Sequence, residues 1–176
     1  MKQRSILWQG AGFALATLGG TLLHFLYEWT GESIWVSPFS GVNESTWEHM
    51  KLLFWPLFLF ALVQQLFFRD QENYWCVKLA EILLGLVLIP VLFYTYNGVF
   101  GKSPDGINIA IFYISAGLVF LFEWWAFKVG RLPCRYPWLA FAAICLICVL
   151  FVVFTYAPPQ IPLFRDPVSG TYGIAI

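Results

Sequence analysis

Apolar residues run along this chain in five long blocks, each separated from the next by a short stretch rich in Gly, Pro or charge. A helix needs about 20 mainly apolar residues to cross the hydrocarbon core of a bilayer. Five stretches meet that length: Ile6–Tyr27, Trp47–Phe68, Cys76–Tyr96, Ile107–Phe127 and Trp138–Tyr156. The pattern predicts an all-α integral membrane bundle of five transmembrane helices, forming one domain over residues 1–176. The connections carry turn signals, among them Gly31 and Pro38, Arg69-Asp70, the run NGVFGKSPDG and the run GRLPCRYP. Pro56 and Pro90 fall inside spans and predict kinks. After the fifth span, Pro158, Pro159, Pro162 and Pro167 forbid a continuing helix. The segment 157–176 is nonetheless too apolar for a solvated tail, and it is expected to lie extended on the outer face of the bundle.

Composition agrees with that pattern. Of 176 residues, 60% are hydrophobic and 11% charged, against roughly a quarter charged in soluble domains. Formal charge is zero, and the thin spread of basic residues excludes a nucleic-acid surface. The first 20 residues resemble a signal peptide with Ala14-Leu15-Ala16 as a cleavage site. The apolar run continues to Leu26, however, so an uncleaved anchor is expected.

The basic residues orient the bundle. With a cytoplasmic N-terminus, that side receives Lys2, Arg4, Arg69, Lys78, Lys128, Arg131 and Arg135, and the other side Lys51, Lys102 and Arg165. This bias predicts N-terminus inside and C-terminus outside. Cys76 and Cys134 then lie in cytoplasmic loops, where thiols stay reduced. Cys145 and Cys148 sit in an apolar run as two small side chains on one helix face.

Polar chemistry concentrates in one stretch. His24 to Lys51 holds both histidines and Glu28, Glu32, Glu44 and Glu48. On the first helix, Gly10, Thr17, Gly20, Thr21, His24 and Glu28 share a sector, predicting a close helix contact with His24 and Glu28 turned inward. Imidazole with carboxylate suits a divalent transition metal, so His24, Glu28, Glu48 and His49 form a candidate metal set. Asn43 and Glu44 would position or support them, and Asn97, Asn108 and Tyr113 lie toward the same end. The competing reading makes Glu48 structural. Ser45-Thr46-Trp47-Glu48 matches a capping box, and Lys51 is an i,i+3 partner. A second cluster joins Gln64, Gln65, Glu81 and Glu123 at similar depth, a candidate proton or cation site. Against that, Lys78 can pair with Glu81, and Glu123 can meet Lys128 or another snorkelling cation.

Three blocks, HFLYEWTG (24–31), SPFSGVNESTWEHMKLLFWP (37–56) and PPQIPLFRDPVSGTYGI (158–174), resemble an uncharacterised family of small bacterial multi-pass membrane proteins. With FYTYNGVFGK between them, the resemblance spans essentially the whole chain. It implies a bacterial cytoplasmic-membrane location and carries no functional residues with it. The expected partners are the lipid bilayer and a second copy or another membrane subunit. No nucleotide-binding or nucleophile-elbow motif is present, and the reading leans away from an enzyme. The leading expectation is a polar pocket at the non-cytoplasmic end for a small cation or lipid headgroup. A metal-dependent membrane hydrolase and a non-catalytic scaffold are the alternatives.

Overall fold

A computed structural model describes residues 2–130 and 132–174. Among the described residues the chain forms five helices: α1 (Lys2–Trp29), α2 (Thr46–Gln65), α3 (Tyr74–Phe100), α4 (Asp105–Val129) and α5 (Pro137–Tyr156). A single 3-10 turn, Pro162–Phe164, follows in the tail. Each lies where the apolar blocks predict it, with ends set by local chemistry. α2 starts at Ser45, whose extended backbone turns its hydroxyl to accept the Glu48 amide at 3.4 Å. α4 has Asp105 in its first turn and Lys128 in its last, complementing the helix dipole. It stops at Gly130, whose φ of 61° suits a residue without a Cβ.

Among the described residues four helices are long and apolar enough to cross a membrane: α1 from Ile6, α3, α4 and α5. Their outer faces present Leu18, Val87, Leu121 and Leu146 to the surroundings. α2 is different in kind. Its first turns carry Glu48, His49 and Lys51, and 14 of its 20 residues are buried, so the other helices and the tail shield it. At 1.5 Å per residue it is about 30 Å long, and it carries the chain from one end of the bundle to the other. α1 packs on α2, α2 on α3 and α3 on α4; α4 also returns to α1, and α5 lies against α3. Trp8, early in α1, accordingly packs against Phe60 of α2 and against Phe67 and Phe68 just beyond its end. Phe54, Phe151 and Trp47 bind α2 to α5 at the core.

Small residues on α1 do set a close contact, but on a face rotated by roughly 70° from the predicted sector at 100° per residue. The buried positions are Gly12, Ala16, Thr17, Gly20 and Tyr27, while Gly10, Thr21 and Glu28 are exposed. The expectation that Glu28 points inward is therefore corrected. A Cβ on Gly20 would stand 2.4 Å from the Phe112 ring and 2.9 Å from the Leu52 carbonyl, and one on Gly12 would stand 2.4 Å from the Phe120 ring. Those two positions bring α1 down onto α2 and α4; Gly10 has open space around it.

A second correction concerns the cysteines. Cys76 and Cys134 are joined in a disulfide, tying the first turn of α3 to the connection before α5. They are 58 residues apart, and nothing in their spacing signals the pairing. The α4–α5 connection folding back over α3 creates it.

The tail is folded rather than extended. Phe164 inserts against Trp47 and Phe154, and Arg165 and Tyr172 form an antiparallel bridge. Overpacking a tight helix contact costs about 1–3 kcal/mol. Gly20→Val is thus expected to lower the thermal unfolding midpoint in detergent, while Gly10→Val leaves it unchanged. Equal effects at the two positions would contradict the observed α1 face.

Candidate functional site

The polar stretch between α1 and α2 divides into two groups with different surroundings. The first is a buried ion pair. Glu48 Oε2 lies 2.5 Å from Lys51 Nζ, with the two side chains 2% and 0% exposed. Glu48 Oε2 also accepts the Val42 amide at 3.1 Å. Lys51 donates to the Ser37 carbonyl at 2.8 Å and the Thr155 hydroxyl at 3.1 Å. One pair thus joins α2, the 30–45 loop and α5. The capping box is only half made. Ser45 caps the Glu48 amide, but the Ser45 amide donates to Asn43 Oδ1 at 2.9 Å rather than to Glu48. Lys51 draws the Glu48 carboxylate away, since a buried ammonium is a far stronger partner than an amide.

The second group faces a cavity. His24, Glu44 and His49 converge: Glu44 reaches His24 Nε2 with one oxygen and His49 Nε2 with the other, each at 3.6 Å. The imidazole centroids are 5.8 Å apart. His49 Nδ1 lies 2.9 Å from the Ser45 carbonyl. A carbonyl only accepts, so Nδ1 carries a hydrogen, and Nε2 is left facing the Glu44 carboxylate. Behind this trio lies a chamber of about 710 Å³. Its walls are Gly20, Thr21 and Phe25 of α1, Leu52 of α2, Ile89 and Phe93 of α3, and Ile109 and Phe112 of α4. Lys102, Ser103, Asp105, Pro167 and Val168 close it at the 30–45 loop end. Phe25 of α1 and Ile109 and Tyr113 of α4 line the chamber and are also exposed.

Of the four residues proposed as metal ligands, the structure brings His24 and His49 together. Glu28 is exposed on the last turn of α1, and Glu48 is held by Lys51. Glu44, cast as a support, takes the central place instead. Among the described residues no three His, Cys, Asp or Glu side chains gather to hold a metal ion. Asn43 links the loop to the tail, donating to the Gly173 carbonyl at 3.0 Å. Asn97 lines the chamber and organises the α3–α4 turn, its Oδ1 accepting the Ser103 amide at 2.8 Å while Ser103 Oγ donates to Asn108 at 2.6 Å. Tyr113 also lines the chamber.

The tail was expected over this end; Lys102 and Asp105 were not expected in the chamber, and no periodicity links them to His24. Asp166 fastens the tail there. Burial raises its carboxyl, but bonds from Ser169 and from the amides of Val168, Ser169 and Glu44 outweigh that and hold its pKa below the ordinary aspartate range.

Glu81 and Glu123 lie far from this end. They meet Lys78 near the disulfide, and Glu123 does not reach Lys128, which sits over the Trp124 ring.

Fold and site together define a membrane-embedded, all-helical protein with a polar-headed chamber at one end. The chain belongs to the family of unknown function DUF6512, whose model matches residues 2–174. Neither a curated protein nor a solved structure matches it.

Removing one member of a buried pair costs about 3–5 kcal/mol because the other charge is left alone. Glu48→Gln should therefore lower the unfolding midpoint strongly and recover when combined with Lys51→Met. Glu44→Gln, with 48% of its side chain exposed, should not lower it. A Glu48→Gln protein of full stability would contradict the structural role.

Proposed function

We propose that the chamber binds an amphipathic ligand, a polar lipid headgroup with part of its acyl chain. The observation that carries this reading is the cavity's polarity gradient. His24, Glu44, His49, Lys102 and Asp105 ring one end, and Phe25, Ile89, Phe93, Ile109 and Phe112 form the body. A volume of about 710 Å³ falls within the roughly 300–1,000 Å³ of small-molecule pockets. Imidazole, ammonium and carboxylate groups suit a phosphate or zwitterionic headgroup, and the rim between α1 and α4 gives a route from the bilayer. A small cation alone would not use the aromatic walls. The hydrolase reading needs three metal ligands and a free base, and Glu48 is committed to Lys51.

All five helices cross the bilayer in this proposal, with α2 shielded by its neighbours, in a bacterial cytoplasmic membrane. The basic-residue bias supports a cytoplasmic N-terminus, which puts the chamber outside. The Cys76–Cys134 bond sits at the opposite end and is the observation against that orientation, since cytosolic thiols are normally reduced. Trp35, 85% exposed in the 30–45 loop, offers a test. A Trp35→Cys protein should react with a membrane-impermeant maleimide on intact cells, and reaction only after permeabilisation would reverse the topology.

Protein purified in mild detergent should carry lipid, read by extraction and mass spectrometry. Losing a hydrogen bond to a charged headgroup costs about 1.5–3 kcal/mol, so His24→Ala and His49→Ala should each weaken retention about tenfold or more. Ile109→Trp should block it by filling the chamber. Lipid-free wild-type protein, or equal retention in the Ile109→Trp variant, would overturn the proposal.

A further inference from the structure

A second ionic group lies near the disulfide end, outside the chamber. Lys78 Nζ stands 2.8 Å from Glu81 Oε2 and 2.6 Å from Glu123 Oε1. The three side chains are 1%, 1% and 0% exposed. The Glu48–Lys51 pair balances one charge with one; here two carboxylates share one ammonium. Tyr74 is a further ionisable group beside them, its ring centre 5.9 Å from Lys78 Nζ. Its hydroxyl donates to the Ala61 carbonyl at 2.6 Å and to Gln64 Oε1 at 3.2 Å, so it supplies no positive charge. Lys78 lies 5.5 Å from the centre of the Phe60 ring, a contact that favours the charged ammonium.

Fully ionised, the group would hold one uncompensated negative charge in an apolar interior. A buried charge of that kind costs several kcal/mol, and a carboxyl avoids the cost by taking a proton. We propose that Lys78, Glu81 and Glu123 form a proton-binding site that holds one exchangeable proton at neutral pH, shared between the two carboxylates. Binding is a simple protonation: a proton from water adds to one carboxylate, and the group becomes neutral overall.

Independent polar atoms point the same way. Glu81 Oε1 and Glu123 Oε2 are buried without a hydrogen-bond partner among the described residues. Two ionised carboxylates only accept, whereas a protonated one becomes a donor. From α2, the Phe60 ring faces the Lys78 ammonium. The site therefore joins α2, α3 and α4, and gain or loss of its proton changes the attraction among them. A metal cation in the same place would meet the Lys78 ammonium already standing between the carboxylates.

Infrared spectroscopy of the full-length protein in lipid membranes tests the proposal through the protonated-carboxyl stretch. Wild-type protein should show the band at neutral pH and lose it in alkaline buffer. Glu81→Gln and Glu123→Gln should each abolish it, because one remaining carboxylate balances Lys78. Glu123→Asp should retain a shifted band, which keeps the test open if a glutamine variant fails to fold. Uniform carbon-13 labelling of glutamate should shift the wild-type band without any substitution. Absence of the band in folded wild-type protein at neutral pH, or its persistence in both glutamine variants, would overturn the proposal. So would sodium-dependent stabilisation of a wild-type protein that lacks the band, which would assign a metal cation.

Discussion

The ion pair between Glu48 and Lys51 is the constraint on which the functional end depends. It stands in the first turns of the most buried helix, and its spare hydrogen-bonding capacity reaches Val42, Ser37 and Thr155. Two buried charges are tolerated only when their remaining donors and acceptors are met. The 30–45 loop must therefore fold back over α2, and α5 must approach from the other side. That fold places Asn43 against the tail and turns Glu44 toward the two histidines. The chamber's polar rim is thus a consequence of a structural pair that does not itself line the chamber.

Much of the fold was legible because bilayer-crossing length and turn chemistry are local properties. All five helices lie where apolar blocks end in Gly, Pro or charge, and the helix ends differ by a few residues. Which face of α1 turns inward was less legible. Glycine and hydroxyl residues are spread around that helix, and only the bulk of Phe60, Phe112 and Phe120 on other elements selects Gly12 and Gly20 over Gly10. The same limit governs Glu48. An S-x-x-E pattern predicts a reciprocal cap, but the choice between an amide and a buried ammonium is settled by tertiary packing. His24 and His49 were recognisable from residue type, and the tail's apolar composition placed it on the outer face, whereas Lys102 and Asp105 enter the chamber through long-range folding alone.

The two ionic groups of the bundle separate by charge balance. Glu48–Lys51 is paired one to one and acts as a fastening. Lys78–Glu81–Glu123 carries a surplus carboxylate, and surplus charge in an apolar interior is a property that titrates. Between the two lies the aromatic core of α2, α4 and α5, which Phe54, Phe60, Phe120 and Phe151 fill. Intramembrane ionisable residues of the second kind mark function more often than those of the first.

The central claim is that an amphipathic molecule enters between α1 and α4 and lodges its polar end against His24, Glu44 and His49. A high-resolution structure of the protein in a lipid nanodisc tests it most directly. The account predicts elongated density along Phe93 and Phe112, with its head within hydrogen-bonding distance of the two imidazoles. Ordered water alone in that chamber, or a compact metal ion coordinated by both histidines, would contradict it.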